Sequence, residues 1–161
     1  MVSIRTATVD DVAVILAFIK ELAEYERLSL AVVATEASLR DTLFGERPAA
    51  EVLIAESDGS PAGFALFFHN YSTFLARRGL YLEDLYVRPA LRRHGVGRAL
   101  LTRLAAIALE RGCGRMEWSV LDWNQDAWRF YESIGASPLT DWTTFRLTGD
   151  ALVALGSAAS W

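Results

Sequence analysis

The sequence predicts an α+β fold, a mixed and mostly antiparallel central sheet with helices on both faces. Three observations predict it. Apolar residues switch between a period of two and a period of 3.6, a turn signal joins two apolar runs in the first half, and a β-α-β crossover follows in the second. With 161 residues, the chain is expected to form one domain over 1–161, and 52% hydrophobic content suffices for a two-layer core.

The elements follow in order. Ser3 to Ala7 reads as a strand, and Asp10 is positioned to cap the helix after it. Val12, Ile15, Leu16, Ile19, Leu22 and Ala23 recur at helical spacing and mark one buried face. Thr35 caps a second, short helix carrying Leu39 and Leu43, which ends near Gly45 and Pro48. Val52–Glu56 and Gly63–Phe68 are strands joined by Asp58-Gly59-Ser60-Pro61, a hairpin turn. Leu80–Val87 is a further strand, rich in aromatic and branched residues. Val96, Leu100, Leu101, Leu104, Ile107 and Ala108 then follow a helical period that stops at Gly112. Met116–Leu121 reads as a strand, Gln125–Ile134 as a helix stopped by Gly135, and Trp142–Leu147 as a closing strand. The Ala-rich tail from Ala151 reads as a packed or frayed end.

Composition narrows the function classes. Twenty acidic residues against 16 basic ones leave a net charge of −4, which gives no footprint for nucleic acid. A single cysteine, Cys113, excludes an intramolecular disulfide, and two histidines beside it leave little for a zinc site, so no metal is expected. Asp10 and Asp11 interrupt any leader-like start, and no run approaches ~20 apolar residues. A cytoplasmic protein without a membrane partner is the expectation.

The stretch from Leu85 to Arg98 carries the most chemistry: a strand end, a basic loop, and two glycines opening an amphipathic helix. Unpaired N–H groups and the positive dipole end make such a helix start suited to phosphate oxygens. Gly95 and Gly97 admit close backbone approach, while Arg92, Arg93 and Arg98 add positive charge. The alternative is an ordinary glycine loop with solvated arginines. A P-loop is excluded by the absence of G-x-x-x-x-G-K-[ST], and a nicotinamide site is poorly supported, given the missing third small residue and the preceding meander.

Arg92-x-x-Gly95-x-Gly97 at a strand–helix junction resembles the acetyl-CoA pyrophosphate loop of the GNAT N-acetyltransferase superfamily. The predicted element order agrees over the whole chain. Ile19-Lys20-Glu21-Leu22-Ala23-Glu24-Tyr25-Glu26, Phe44-Gly45-Glu46, Leu80-Tyr81-Leu82-Glu83-Asp84-Leu85 and Trp123-Asn124…Phe130-Tyr131 resemble its diamine acetyltransferase branch, the spermidine/spermine N-acetyltransferases.

The resemblance implies roles. Leu85, Tyr86 and Val87 would pair with pantetheine amides, and the loop of Arg92, Arg93, His94, Gly95, Val96, Gly97 and Arg98 would hold the pyrophosphate through its N–H groups. Asn124 matches a residue near the pantetheine arm, with an ordinary helix cap as the alternative. Tyr131, seven residues on and on the same helix face, matches the family's general acid toward the departing thiolate. A phenol with a reference pKa of ~10 suits an alkyl thiol leaving group. Glu83 matches the acidic residue implicated in binding and deprotonating the amine, directly or through water; an aliphatic ammonium is less than about 1% neutral at pH 7. Asp84 alternates to the opposite strand face, so the two carboxylates are not expected to form one pair. No Ser/His/Asp or Cys/His nucleophile set is evident, which favours direct transfer without an acyl-enzyme.

Tyr25 and Glu26 match the family's acceptor-contacting pair, and Glu117, Trp118 and Ser119 its substrate strand. Glu26, Glu83 and Glu117 can form an acidic channel for a cationic amine. The family's E-E-G-W-R-L segment is replaced by Trp142-Thr143-Thr144-Phe145-Arg146-Leu147, and Thr143 stands where polyamine enzymes carry a glutamate. Losing a carboxylate that faces a second charge weakens selection for long polyamines, so thialysine-like and other small amines are equal candidates. A non-catalytic acyl-CoA sensor and a peptide N-terminal acetyltransferase remain as alternatives. The resemblance also implies a homodimer.

Overall fold

The computed structural model describes residues 1–160 and divides the chain into two units, Met1–Leu121 and the residues from Asp122 onward. The first holds a five-stranded sheet in the order β1 (Val2–Thr6), β2 (Glu51–Ser57), β3 (Ser60–Ser72), β4 (Arg77–Val87) and β5 (Met116–Trp118). The first three pairings are antiparallel and β4–β5 is parallel. Helix α3 (Val96–Glu110) makes the crossover that a parallel pair requires. The fold is the mixed α+β one that the sequence predicts.

The hairpin between β2 and β3 forms because Asp58 and Gly59 both accept left-handed backbone, with φ of 49° and 80°. Strand alternation then sorts the core into two layers. Val52, Ile54, Phe64 and Tyr86 pack with Val12, Ile15 and Phe18 of α1 (Val12–Tyr25) and with Leu39 and Leu43 of α2 (Glu36–Phe44). The rings of Phe18 and Phe64 stack at 5.4 Å. α3 packs on β1 to β4, and all six of its expected apolar positions are buried. Arg88 ties α1 to the sheet: it donates to both Glu21 carboxylate oxygens and to the Pro61 carbonyl, and lies over the Phe18 ring.

The start of α1 differs from the expectation. Thr8 and Asp11, not Asp10, form a capping box around a 3₁₀ turn (Val9–Asp11), because Asp11 is also held by two nitrogens of Arg5 at 2.8 Å each. Thr35 caps α2 as expected, its hydroxyl accepting from Ser38 N at 3.1 Å.

β4 carries a bulge. Leu66 pairs with Asp84 and Phe67 with Leu82, so Glu83 is the extra residue that faces no partner on β3. The parallel pairing with β5 ends at the same place, Leu82 with Trp118. The strand expected to reach Leu121 therefore stops at Trp118, and the edge of β4 from Glu83 to Val87 opposite β3 has no strand beside it.

Gly63 pairs with Val87 on that stretch of β4. A Cβ there would collide with the Tyr86 carbonyl oxygen and lie 3.1 Å from the Val87 Cα. Gly63→Ala is expected to destabilise the protein by about 1–3 kcal/mol, read as a lowered urea midpoint. An unchanged midpoint would show that β4 can move.

The second unit contains α4 (Gln125–Ser133) and α5 (Gly149–Ser157). Trp142–Leu147, expected as a closing strand, is not one of the five strands. Its apolar residues, Trp142, Phe145 and Leu147, are spaced three and two apart rather than strictly two, and Trp142 and Phe145 are 80% and 93% exposed. A strand exists only through a ladder with a neighbour, and pattern alone does not supply one. The Ala-rich tail begins within the helix α5, which ends at Ser157. Among the described residues, no helix is long and apolar enough to cross a membrane.

Candidate active site

β4, the loop after it and the start of α3 form one continuous surface of the first unit. The loop turns through two left-handed residues, Arg93 at φ 64° and Gly95 at φ 83°. For a side-chain-bearing residue such as Arg93 this conformation costs roughly 1–2 kcal/mol. His94 helps hold it by donating from Nδ1 to the Arg92 carbonyl at 2.8 Å. A Cβ at Gly95 would meet nothing within 4 Å, so the backbone is open on that side. The first intrahelical bond of α3 runs from Ala99 N to the Gly95 carbonyl, 2.9 Å, and no side chain caps the helix. The amides of Val96, Gly97 and Arg98 thus precede the first full turn and suit an anion. Arg93, His94 and Arg98 are exposed around them.

Arg92 is placed differently from its neighbours. It is half-buried, its Nε donates to the Val87 carbonyl at 2.8 Å, and its Cζ lies 4.6 Å from the Tyr25 ring centroid and 5.7 Å from that of Tyr86. Leu85 and Val87 are half-buried and Tyr86 is buried, so their outer edge offers backbone groups rather than side chains.

The bulge at Glu83 changes the acidic side. Strict alternation would separate Glu83 from Asp84, but it does not hold across a bulge. Asp84 is pushed up to about 6, chiefly by burial and then by the charges of Glu83 and Glu26. Burial also raises the Glu26 carboxyl. The structure therefore brings together Glu26, Glu83 and Asp84, of which Glu83 is exposed. Sequence reasoning set Asp84 aside on the assumption of a regular strand, and the register at Glu83 places it beside that residue instead.

Glu117 is not among the carboxylates that raise Asp84. Its Oε1 is paired with Arg115 Nε at 3.0 Å, and Asn70 lies 3.5 Å away. Ser119 meets the Tyr81 hydroxyl at 3.2 Å, and Trp118 is half-buried on β5.

In the second unit, Asn124 caps α4, its Oδ1 accepting from Ala127 N at 3.3 Å. Tyr131 lies near the other end of α4, half-buried, with its ring 5.7 Å from that of Phe130. Its carbonyl accepts from Ala136 N at 3.1 Å across Gly135, whose φ of 92° ends the helix. Among the described residues no group of three His, Cys, Asp or Glu side chains is arranged to hold a metal ion.

Comparison with known proteins identifies the family. The model of the acetyltransferase (GNAT) family matches residues 16–136. The chain is 40% identical to a thialysine N-epsilon-acetyltransferase of Bos taurus, over 94% of this chain and 95% of that protein. It is 39% identical to an L-ornithine acetyltransferase of Arabidopsis thaliana, over 94% and 86% of the two chains. Among solved structures, an integron cassette protein from V. cholerae superposes with a TM-score of 0.80 at 28% identity, covering 98% of each chain. The chain belongs to the GNAT acetyltransferase family and is an N-acetyltransferase.

Proposed function

We propose that the chain transfers an acetyl group from acetyl-CoA to the primary amine of a small cationic substrate by direct attack. The observation that carries this reading is the cluster of Glu26, Glu83 and Asp84 at the unaccompanied edge of β4, immediately before the glycine loop. The relatives' thialysine and ornithine substrates support an amino-acid-sized acceptor, and Thr143 in place of a glutamate supports the same choice over long polyamines.

Acetyl-CoA supplies the acetyl thioester. The residues present fit it: the amides of Arg93 to Arg98 would hold its pyrophosphate, and the backbone of Leu85, Tyr86 and Val87 would give strand-like pairing to its amides. Arg93, His94 and Arg98 add charge at the rim, and Asn124 serves the pantetheine arm. Tyr25, Glu26, Glu117, Trp118 and Ser119 contact the acceptor. Glu83 meets the ammonium, and Glu83 and Asp84 take up its proton, directly or through water, before the nitrogen attacks. A carboxylate near 6 is a better-matched acceptor at neutral pH than one at 3.8. Tyr131 Oη gives its proton to the departing sulfur. The chain works as one N-acetyltransferase domain, in the cytoplasm and as a homodimer, in keeping with its family.

A thiol-release assay with acetyl-CoA and a panel of thialysine, ornithine, spermidine and a short peptide tests the proposal. Release with the first two, faster than with spermidine, is the expected result. No release with any amine, alongside tight acetyl-CoA binding, would establish a sensor instead. Release with the peptide alone would make the chain a peptide N-terminal acetyltransferase.

A further inference from the structure

We propose that Arg115 and Glu117 are specificity-determining residues that receive the α-carboxylate and α-ammonium of an amino-acid acceptor, the side-chain amine of which is acetylated. The inference rests on the reading of this surface as an amine acetyltransferase site, and deepens it by naming what holds the far end of the acceptor.

Three observations carry it. Arg115 and Glu117 form an opposite-charge pair, Nε to Oε1 at 3.0 Å, that engages only part of each group. Asn70 Nδ2 approaches the same Oε1 at 3.5 Å, and it reaches there because Gly79, its register partner, has no side chain: a Cβ would collide with Asn70 Oδ1. Glu117 Oε2 and the two terminal nitrogens of Arg115 have no hydrogen bond among the described residues. The pair thus offers one group for an anion beside one for a cation, which is what the two charges on an α-carbon require. A half-exposed ion pair of this kind adds little to folding. Second, the pair stands at a fitting distance from the reacting end. Glu117 is the register partner of Tyr81, and Glu83 follows Tyr81 by two residues on β4. A rise of about 3.3 Å per residue and a strand spacing of about 4.8 Å set Glu83 and Glu117 roughly 8 Å apart. An ω-amine joined to its α-carbon through four or five bonds of about 1.5 Å, as in ornithine and thialysine, bridges that gap once the two side chains reach inward. Glu117 is also absent from the charges that act on Asp84, so it belongs to the far end and not to the reacting cluster. Third, the stretch between the two ends is aromatic. The Tyr81 ring lies 5.2 Å from that of Phe68, and its hydroxyl meets Ser119 at 3.2 Å, which presents a fixed face to methylene carbons. A diamine brings no carboxylate to Arg115, and its far ammonium is repelled there.

The test compares three acceptors that differ only at the far end: ornithine, 1,4-diaminobutane, which lacks the α-carboxylate, and 5-aminopentanoate, which lacks the α-amine. With the full chain at saturating acetyl-CoA, ornithine is expected to have a kcat/KM about 10-fold or more above either analogue. Equal values for ornithine and 1,4-diaminobutane would overturn the proposal and leave the proposed function standing. This comparison needs no variant to fold. Arg115→Gln is then expected to raise the ornithine KM about 10-fold with kcat within about twofold, which brings ornithine down toward 1,4-diaminobutane. Glu117→Gln should bring it down toward 5-aminopentanoate in the same way. Losses of equal size for all three acceptors would show a structural role for the pair and overturn the assignment. Arg115→Lys keeps the charge and should restore part of the preference for ornithine; a lysine variant no better than the glutamine one would count against a carboxylate at this position. Wild type that binds acetyl-CoA but acetylates none of the three would refute the proposed function. Calorimetric titration of ornithine into the complex with CoA would then decide the site separately. Binding that Arg115→Gln weakens about 10-fold would support it, and absent or equal binding would overturn it.

Discussion

Tyr131→Phe is expected to lower kcat by about 10²–10⁴-fold while leaving the acetyl-CoA Kd within about twofold of wild type. The hydroxyl is proposed to matter only as the carbon–sulfur bond breaks, when the sulfur acquires charge that a proton must neutralise. Interactions made only at that stage appear in kcat and not in ground-state affinity. The local structure makes the substitution conservative. Tyr131 lies in the last turn of α4, beside the Phe130 ring, and the helix end is set by Gly135 and the backbone bond from Ala136. Removing one oxygen leaves those contacts in place. Steady-state kinetics at saturating donor, with calorimetric titration of acetyl-CoA, provide the two readouts. Unchanged kcat would refute the acid role, and a large loss of affinity would reassign Tyr131 to cofactor binding.

Asp84→Asn is expected to make the protein more stable and much less active. Burial and the neighbouring charges raise the Asp84 carboxyl from 3.8 to about 6. Between those values the folded state holds the proton more tightly than the unfolded chain does. Stability therefore falls as pH rises from about 4 to 6, and the cost of ionising Asp84 is fully present above that window. Roughly two pKa units correspond to about 3 kcal/mol, an upper figure. Asparagine removes the charge, so a gain of about 1–3 kcal/mol at pH 8 is expected, or several degrees in Tm, shrinking toward zero near pH 4. Activity should fall about 10²-fold at neutral pH, and the acid limb near pH 6 should disappear from the rate profile. Glu83→Gln provides the control: removing one of the charges that act on Asp84 should shift the stability midpoint to lower pH. A destabilised Asp84→Asn protein with wild-type turnover would show that Asp84 is an ordinary structural carboxylate.

Both effects expected of Asp84→Asn depend on a feature that strand alternation hides. Period-two reasoning places Glu83 and Asp84 on opposite faces, which is correct for a regular strand. The bulge at Glu83 cancels it, and a bulge is a register relation between β3 and β4 that neither segment carries alone. The same limit explains Trp142–Leu147. Its residues tolerate an extended conformation, but a strand also needs an edge to pair with. The shortened β5 likewise ends where its pairing with β4 reaches that bulge.

What the sequence determined by itself was everything set by local periodicity and covalent chemistry. The buried face of α3 was legible because six residues at helical spacing admit one solution, and the Thr35 cap and the Asp58-Gly59 turn because their backbones require those residue types. The glycine loop before α3 was legible for the same reason: a helix start with small residues and no cap has its amides to offer. The tertiary structure alone decided how charges far apart in sequence act on one another. Asp84 is near 6 because burial and Glu26, 58 residues earlier, act on it together with its neighbour Glu83. Arg92 turns from the loop toward Tyr25 because two aromatic faces and the Val87 carbonyl are within its reach. Electrostatic energies follow distance and burial in space, and neither is a property of a residue's position along the chain.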